Sequence, residues 1–217
     1  MKTRSTFTQR YDQLPDTLPI FPLNDVVVLP GADLPLNIFE PRYLNMVSDA
    51  LGSHRMIGML QPDPNAKDDG LCHTGSAGRI TQYRETNDGR IEMVLSGVCR
   101  FDLGEELPTT RGYRLVIPQW SRFSDDYTDH EDTLSSAHDL LIQTLKAYLQ
   151  SKNLDADWAM LERLSTMRLL SSMCMALPLS EADKQLLLET VHPAERLNTF
   201  IAILDSEQSS PGSVTRH

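Results

Sequence analysis

The chain has 217 residues, 40% hydrophobic and 23% charged, with 20 Lys and Arg against 30 Asp and Glu and a formal net charge of -10. At about 150 residues per domain this is one large domain or two small ones, long enough to bury a core without disulfide or metal staples. Collagen, a disulfide-rich scaffold and full-length disorder are excluded. No run of about 18 apolar residues exists for a transmembrane helix, and the acid excess opposes phosphate-backbone binding.

The acid is unevenly spread: residues 1–122 hold 13 basic and 15 acidic side chains, residues 123–217 hold 7 and 15. The near-neutral first half leaves room for a local basic patch, for which Arg79, Arg84, Arg90 and Arg100 are the residues to consider. Cys72, Cys99 and Cys174 show no C-x-x-C spacing, and the start MKTRSTFTQRY has no apolar core of a secretory signal. A reducing cytoplasm is the expected compartment.

From the N-terminus, residues 1–14 are expected to be a flexible lead. Short β-like runs cut by Pro and Gly follow at 17–21, 26–29, 34–38 and 56–61. Pro41 suits a first helical turn, Leu44, Val47 and Leu51 share one face, and Gly52 offers a stop, which predicts a helix. Residues 62–70 (PDPNAKDDG) read as a polar loop. Runs at 79–84 and 90–96 flank Asn87-Asp88-Gly89, a hairpin signal in which both residues of Asp-Gly can take positive φ. Runs at 98–103 and 113–117 complete the β-rich half, placed at 15–122.

The polar, acidic SRFSDDYTDHED then marks a boundary, and the period becomes helical over 130–205. Leu134, Ala137, Leu141, Leu145 and Tyr148 form one stripe. A second helix is predicted over 156–176, with Trp158, Leu161, Leu164 and Met167 apolar. Ser180 with Asp183 resembles a capping box for a third helix, and Pro193 starts a fourth with Leu197, Phe200, Ile201 and Leu204 on one face. Residues 206–217 are expected to be a flexible tail. The fold class is α+β: a β-rich N-terminal half and a C-terminal helical bundle.

Motifs for chemistry are sparse. G-x-x-x-x-G-K-[ST] and G-x-G-x-x-G are absent. His130 and His138 lie two helical turns apart, roughly 12 Å and too far for one ion, so no metal site or cofactor is expected. Cys72-His73 offers thiol and imidazole, but neighbours on a strand point to opposite faces. Cys99 and Cys174 read as core positions, and Ser96-Gly97 lacks G-x-S-x-G. Met167, Met173 and Met175 suit core packing better than an adaptable surface.

One stretch is far more specific. LPIFPLNDVVVLPGADLPLNIFEPRYLNMV contains Val27-Val28-Leu29-Pro30-Gly31, Leu34-Pro35-Leu36 and Ile38-Phe39-Glu40-Pro41-Arg42-Tyr43. It resembles the signature of the N-terminal, substrate-binding domain of Lon proteases. GSAGRITQYRETNDGRIEMVLSGVCRF looks like that family's hairpin, and LPLSEADKQLLLETVHPAERL is similar to its helical segment. The resemblance covers about residues 14–205 and implies a PUA-like β half followed by helices.

Lon proteases carry their ATPase and Ser-Lys protease modules downstream of this domain, and neither stands in this sequence. The resemblance therefore implies a free-standing, non-catalytic domain that binds polypeptide segments or a protein partner, with no cofactor. Phe39, Glu40, Arg42 and Tyr43 are the candidate partner-binding residues. Their sequence context also gives them structural work: Phe39 could staple the helix start, Glu40 and Arg42 could pair, and Tyr43 could pack its ring. A membrane role is not expected and nucleic acid is disfavoured by charge. The competing readings are an enzyme acting through Cys72, a small-molecule site, and RNA binding through a PUA-like fold.

Overall fold

A computed structural model describes residues 10–66, 70–128, 134 and 137–209. The expectations placed on 1–9, 67–69, 129–133, 135, 136 and 210–217, which include His130 and most of the two flexible ends, lie outside the described residues. The fold is α+β. Six strands, β1 (Leu18–Pro22), β2 (Asp33–Ile38), β3 (Met56–Leu60), β4 (Thr74–Glu85), β5 (Ile91–Leu107) and β6 (Arg114–Gln119), form one sheet in the order β2-β5-β4-β3-β1-β6. β6 also pairs with β5, so five of the strands close into a barrel and β2 is appended to it. Only β1 and β3, whose Ile20 and Gly58 are partners, pair in parallel.

Two expected strands are one. Residues 90–96 and 98–103 merge into β5, whose first part pairs with β2 and whose last part pairs with β6. Gly97 lies at the change of partner: a Cβ there would stand 2.1 Å from the Leu29 carbonyl oxygen. A side chain would block the close approach of the 26–32 segment, which bonds Gly97 from both sides (Gly31 N–H to Gly97 O 3.0 Å, Gly97 N–H to Ala32 O 2.8 Å). The 86–90 turn corrects a second expectation. Asp88 is not among the residues with positive φ; Gly89 alone of the loop takes it, at +80°. The Thr86 N–H to Arg90 O bond (2.9 Å) closes a three-residue loop with glycine in the left-handed position.

The barrel interior is filled by Leu18, Ile20, Met56, Leu60, Ala77, Phe101 and Val116. A second apolar cluster lies between the barrel wall and α1 (Pro41–Leu51), where Tyr43, Met46, Val47 and Ala50 are buried. The i, i+3, i+4, i+7 spacing of those four residues is the stripe that makes this segment a helix. The helical half holds α2 (His138–Ser151), α3 (Trp158–Leu161), α4 (Thr166–Ala176), α5 (Glu181–Glu189) and α6 (Pro193–Ser209). The single helix expected over 156–176 is broken: Asp157 accepts a hydrogen bond from the Met160 N–H to cap α3, and Ser165 restarts the chain as the N-cap of α4. A short polar side chain such as Asp157 favours a cap over a helix interior, while Ser165 marks the restart by its extended backbone, with no side-chain capping bond. The Ser180 cap of α5 is as expected, its hydroxyl accepting from the Asp183 N–H at 3.1 Å. α6 continues through Ser209, past the point where a flexible tail was expected.

The expected strand at 26–29 is absent, and the segment is the seam between the halves. Val27 and Leu29 belong to the helical core, while Val28 belongs to the cluster under α1. Side chains alternate to opposite sides as in a strand, yet each side faces packed residues and no ladder partner adjoins it. Ser171 of α4 donates to Pro30 O (3.0 Å), and Lys184 of α5 donates to Asp25 O and Oδ1 (3.0 and 2.7 Å). The Val-Val-Leu-Pro-Gly signature is therefore a joint.

A buried arginine makes the second joint. Arg100 and Asp126 have side chains 0% and 2% exposed and meet at 2.7 Å. The remaining guanidinium hydrogens go to the carbonyl oxygens of Leu188, Thr190 and Val191 at the end of α5 (3.0, 2.6 and 3.1 Å). Orphan carbonyls at a helix C-terminus are acceptors for such a cation. Phe123, in the 3-10 turn Ser121–Tyr127, lies 4.4 Å beneath the guanidinium.

Candidate functional site

The four candidate partner-binding residues sit together at the start of α1. Pro41 begins the helix, and its fixed φ suits that first position. Glu40, the N-cap, makes no capping bond; its carboxylate accepts from Arg42 Nε at 3.0 Å. Arg42 lies 4.5 Å above the Tyr43 ring, which packs on Phe21 with centroids 4.2 Å apart. Tyr43 is buried, and burial pushes its hydroxyl above the usual range. Phe39 does not staple the helix: it is 59% exposed, its ring 5.6 Å from the Arg90 guanidinium. The corner thus has one buried anchor, a surface ion pair and one exposed aromatic ring. The end of α1 is fixed by Asp49, which accepts from Arg111 (3.0 Å) and from the Tyr113 hydroxyl (2.9 Å).

A cleft of about 650 Å³ opens elsewhere, between the connection from β3 to β4 and the face of α5. Gln61, Pro62, Asp63 and Pro64 form one wall, Cys72 and His73 the base, and Glu181, Gln185, Leu186 and Glu189 the other wall. Leu186 is half exposed while Leu187 and Leu188 are buried. A triple-leucine run on a helix must turn one member away from a core that holds the other two, and that is the signal by which the sequence could have pointed here. Gln61 bridges the walls, its Nε2 donating to Glu181 O and Gln185 Oε1, both at 3.1 Å. Neither Lys nor Arg stands among the described lining residues.

The cleft contains Cys72 and His73, but the thiol donates to Pro62 O at 3.7 Å rather than to the imidazole. Burial raises the Cys72 pKa, and Asp63, Glu189 and Glu181 raise it further. A nucleophilic cysteine needs the opposite setting, with a cation nearby. Among the described residues, no three His, Cys, Asp or Glu converge on a point that could hold a metal ion. His138 instead meets the Thr166 hydroxyl at 3.3 Å. Of the hairpin arginines, Arg84 pairs with Glu92, Arg90 pairs with Asp88, Arg100 is wholly inside and Arg79 is half-buried.

Comparison with known proteins agrees with this architecture. The family model described as the ATP-dependent protease La (LON) substrate-binding domain matches residues 17–206. The chain belongs to that family. It is 28% identical over 209 residues to a Lon protease of Parabacteroides distasonis, and 24% identical over 213 residues to Lon protease 2 of Bdellovibrio bacteriovorus. Each alignment covers 93% of this chain but only 25% and 26% of the relative, so the chain spans about a quarter of the length of these curated proteases.

Two solved structures share the fold. The N-terminal domain of a Mycobacterium avium complex Lon protease has a TM-score of 0.64 at 22% identity, covering 87% of this chain and 98% of its own. A Lon N-terminal domain protein from Xanthomonas campestris has a TM-score of 0.60 at 23% identity, covering 86% and 97%. Among the described residues no helix is long and apolar enough to cross a membrane.

Proposed function

We propose that this chain is a polypeptide-recognition module that binds exposed apolar stretches of unfolded proteins and carries out no chemistry of its own. The observation that carries the reading is the match of residues 17–206 to a domain described as substrate-binding in a protease. The match takes in the β barrel and the helices together, so what is shared is the whole fold. A raised Cys72 thiol and paired hairpin arginines give the enzyme and RNA readings no comparable support. Three free cysteines suit a reducing compartment such as the cytoplasm.

The α1 corner is proposed as a contact surface. Phe39 offers an exposed ring, the Glu40–Arg42 pair a polar border, and Tyr43 the anchor that holds the helix start in place. Aromatic and arginine side chains are the residue types enriched at protein contacts. The test uses the full chain and fluorescently labelled lactalbumin, either native or reduced and carboxymethylated. Anisotropy should rise with the unfolded form and not with the native form. Phe39→Ser should weaken that binding while leaving stability within about 0.5 kcal/mol, because the ring is mostly in water. Equal failure to bind either form, across several unfolded proteins, would refute the reading.

A further inference from the structure

We infer that the cleft between α5 and the connection from β3 to β4 takes an extended polypeptide segment in which a Lys or Arg side chain stands beside an apolar one. The inference rests on the polypeptide-recognition reading and assigns it a second, chemically selective site. Three features of the cleft converge on that ligand. Its size, about 650 Å³, lies within the range of about 300–1,000 Å³ that suits a few side chains. Its apolar surface comes from Pro62, Pro64 and the half-exposed Leu186. Its charge is all of one sign among the described lining residues, from Asp63, Glu181 and Glu189.

These carboxylates do not converge as metal ligands do. Charge spread along a cleft suits a cationic side chain on a flexible stem better than a point ion.

The independent observation is Gln61. The residue is 3% exposed, and its Oε1 is buried with no hydrogen-bond partner. The amide cannot be turned over to cure this. Its nitrogen donates to Glu181 O and to Gln185 Oε1, while Gln185 spends its own nitrogen on Thr74 O and Glu189 Oε1 (3.1 and 2.7 Å). A flip would set oxygen against oxygen at both contacts. An orphan acceptor beside a cleft calls for a donor, and a backbone N–H or a Lys or Arg head supplies one. The backbone donor is common to every polypeptide; the carboxylates of the cleft select the cationic side chain.

The experiment titrates the full chain into a labelled, unstructured peptide carrying Leu beside Lys and Arg, and into the same peptide with Glu in place of the cations. The basic peptide should bind roughly tenfold more tightly, with the difference shrinking as salt is added. Glu181→Gln with Glu189→Gln keeps the hydrogen-bonding shape and should weaken the basic peptide roughly fivefold. Leu186→Ser should weaken it as well, and far-UV circular dichroism with thermal unfolding confirms that both variants are folded.

Binding of the basic peptide unchanged in both variants would overturn the assignment of the cleft and leave polypeptide recognition standing. Unfolded lactalbumin binding without either peptide would overturn the cleft alone. Binding that emerges only after Lys2 and Arg4 are replaced by Ser would make the chain's own start the occupant. Self-association lost in Leu186→Ser would make it a second copy. Either result would overturn the proposal.

Discussion

Replacing Asp126 with Asn should destabilise both halves of the protein together. Asp126 accepts from Arg100 Nε at 3.0 Å and Nη2 at 2.7 Å, and a further bond, from the Arg100 backbone N–H at 2.9 Å, closes a ring. The side chains are 0% and 2% exposed, so water does not screen the loss. Asp126 also opposes the burial that pushes Arg196 down to about 10, so the amide leaves two buried guanidiniums short of a counter-charge. Breaking such a pair from one side costs about 3–5 kcal/mol, a large share of a typical total of about 5–15 kcal/mol.

The two tryptophans make the assay. Trp120 packs on Phe101 in the barrel, and Trp158 packs against the helical core. Urea unfolding of Trp120→Phe and Trp158→Phe reports each half separately, and the Asp126→Asn midpoint should fall by the same amount in both. Adding Asp126→Asn to Arg100→Met should cost much less than adding it to the wild type, because the two groups act as one unit. A loss below about 1 kcal/mol, or a shift seen by one tryptophan only, would refute the view that this pair joins the halves.

Thiol chemistry checks the burial pattern. Of the free cysteines, Cys99 and Cys174 are fully buried and Cys72 is half-buried, so a disulfide reagent at neutral pH should modify Cys72 first and the other two only on unfolding. Cys72→Ala should remove the early phase. Burial pushes Cys174 from an ordinary value of 9.0 up to about 12. A raised folded pKa means stability is intact below pH 9 and is lost as pH rises towards 12, because the unfolded thiol ionises first. Urea midpoints at pH 8 and pH 10.5 should therefore diverge more for the wild type than for Cys174→Ala. Gly97→Ala should cost about 1–3 kcal/mol or more by calorimetry, because the new methyl would meet the Leu29 carbonyl at 2.1 Å and backbone cannot swing aside. A neutral effect would refute the close approach.

The features legible in the sequence are local ones. Pro41 at the start of α1, the Ser180 cap and the glycine of the 86–90 turn are each settled by neighbours a few residues away and stand where the sequence places them, whereas the buried stripe of α1, Tyr43, Met46, Val47 and Ala50, shares only Val47 with the expected face of Leu44, Val47 and Leu51. The family signature was also legible, because Pro and Gly punctuate it at fixed spacing. Tertiary structure decided whatever depends on partners distant in the chain. Residues 26–29 have a strand's alternation, but the helical core claims Val27 and Leu29 while the α1 cluster claims Val28, so they become a joint. Arg100 reads as a surface cation until Asp126 and the end of α5, about 90 residues on, enclose it. The cleft is of the same kind: Gln61 lies 120 residues from Glu181, and no local pattern brings them to 3.1 Å. Periodicity records which side of an element is apolar; only packing decides what that side, or the one opposite, will face.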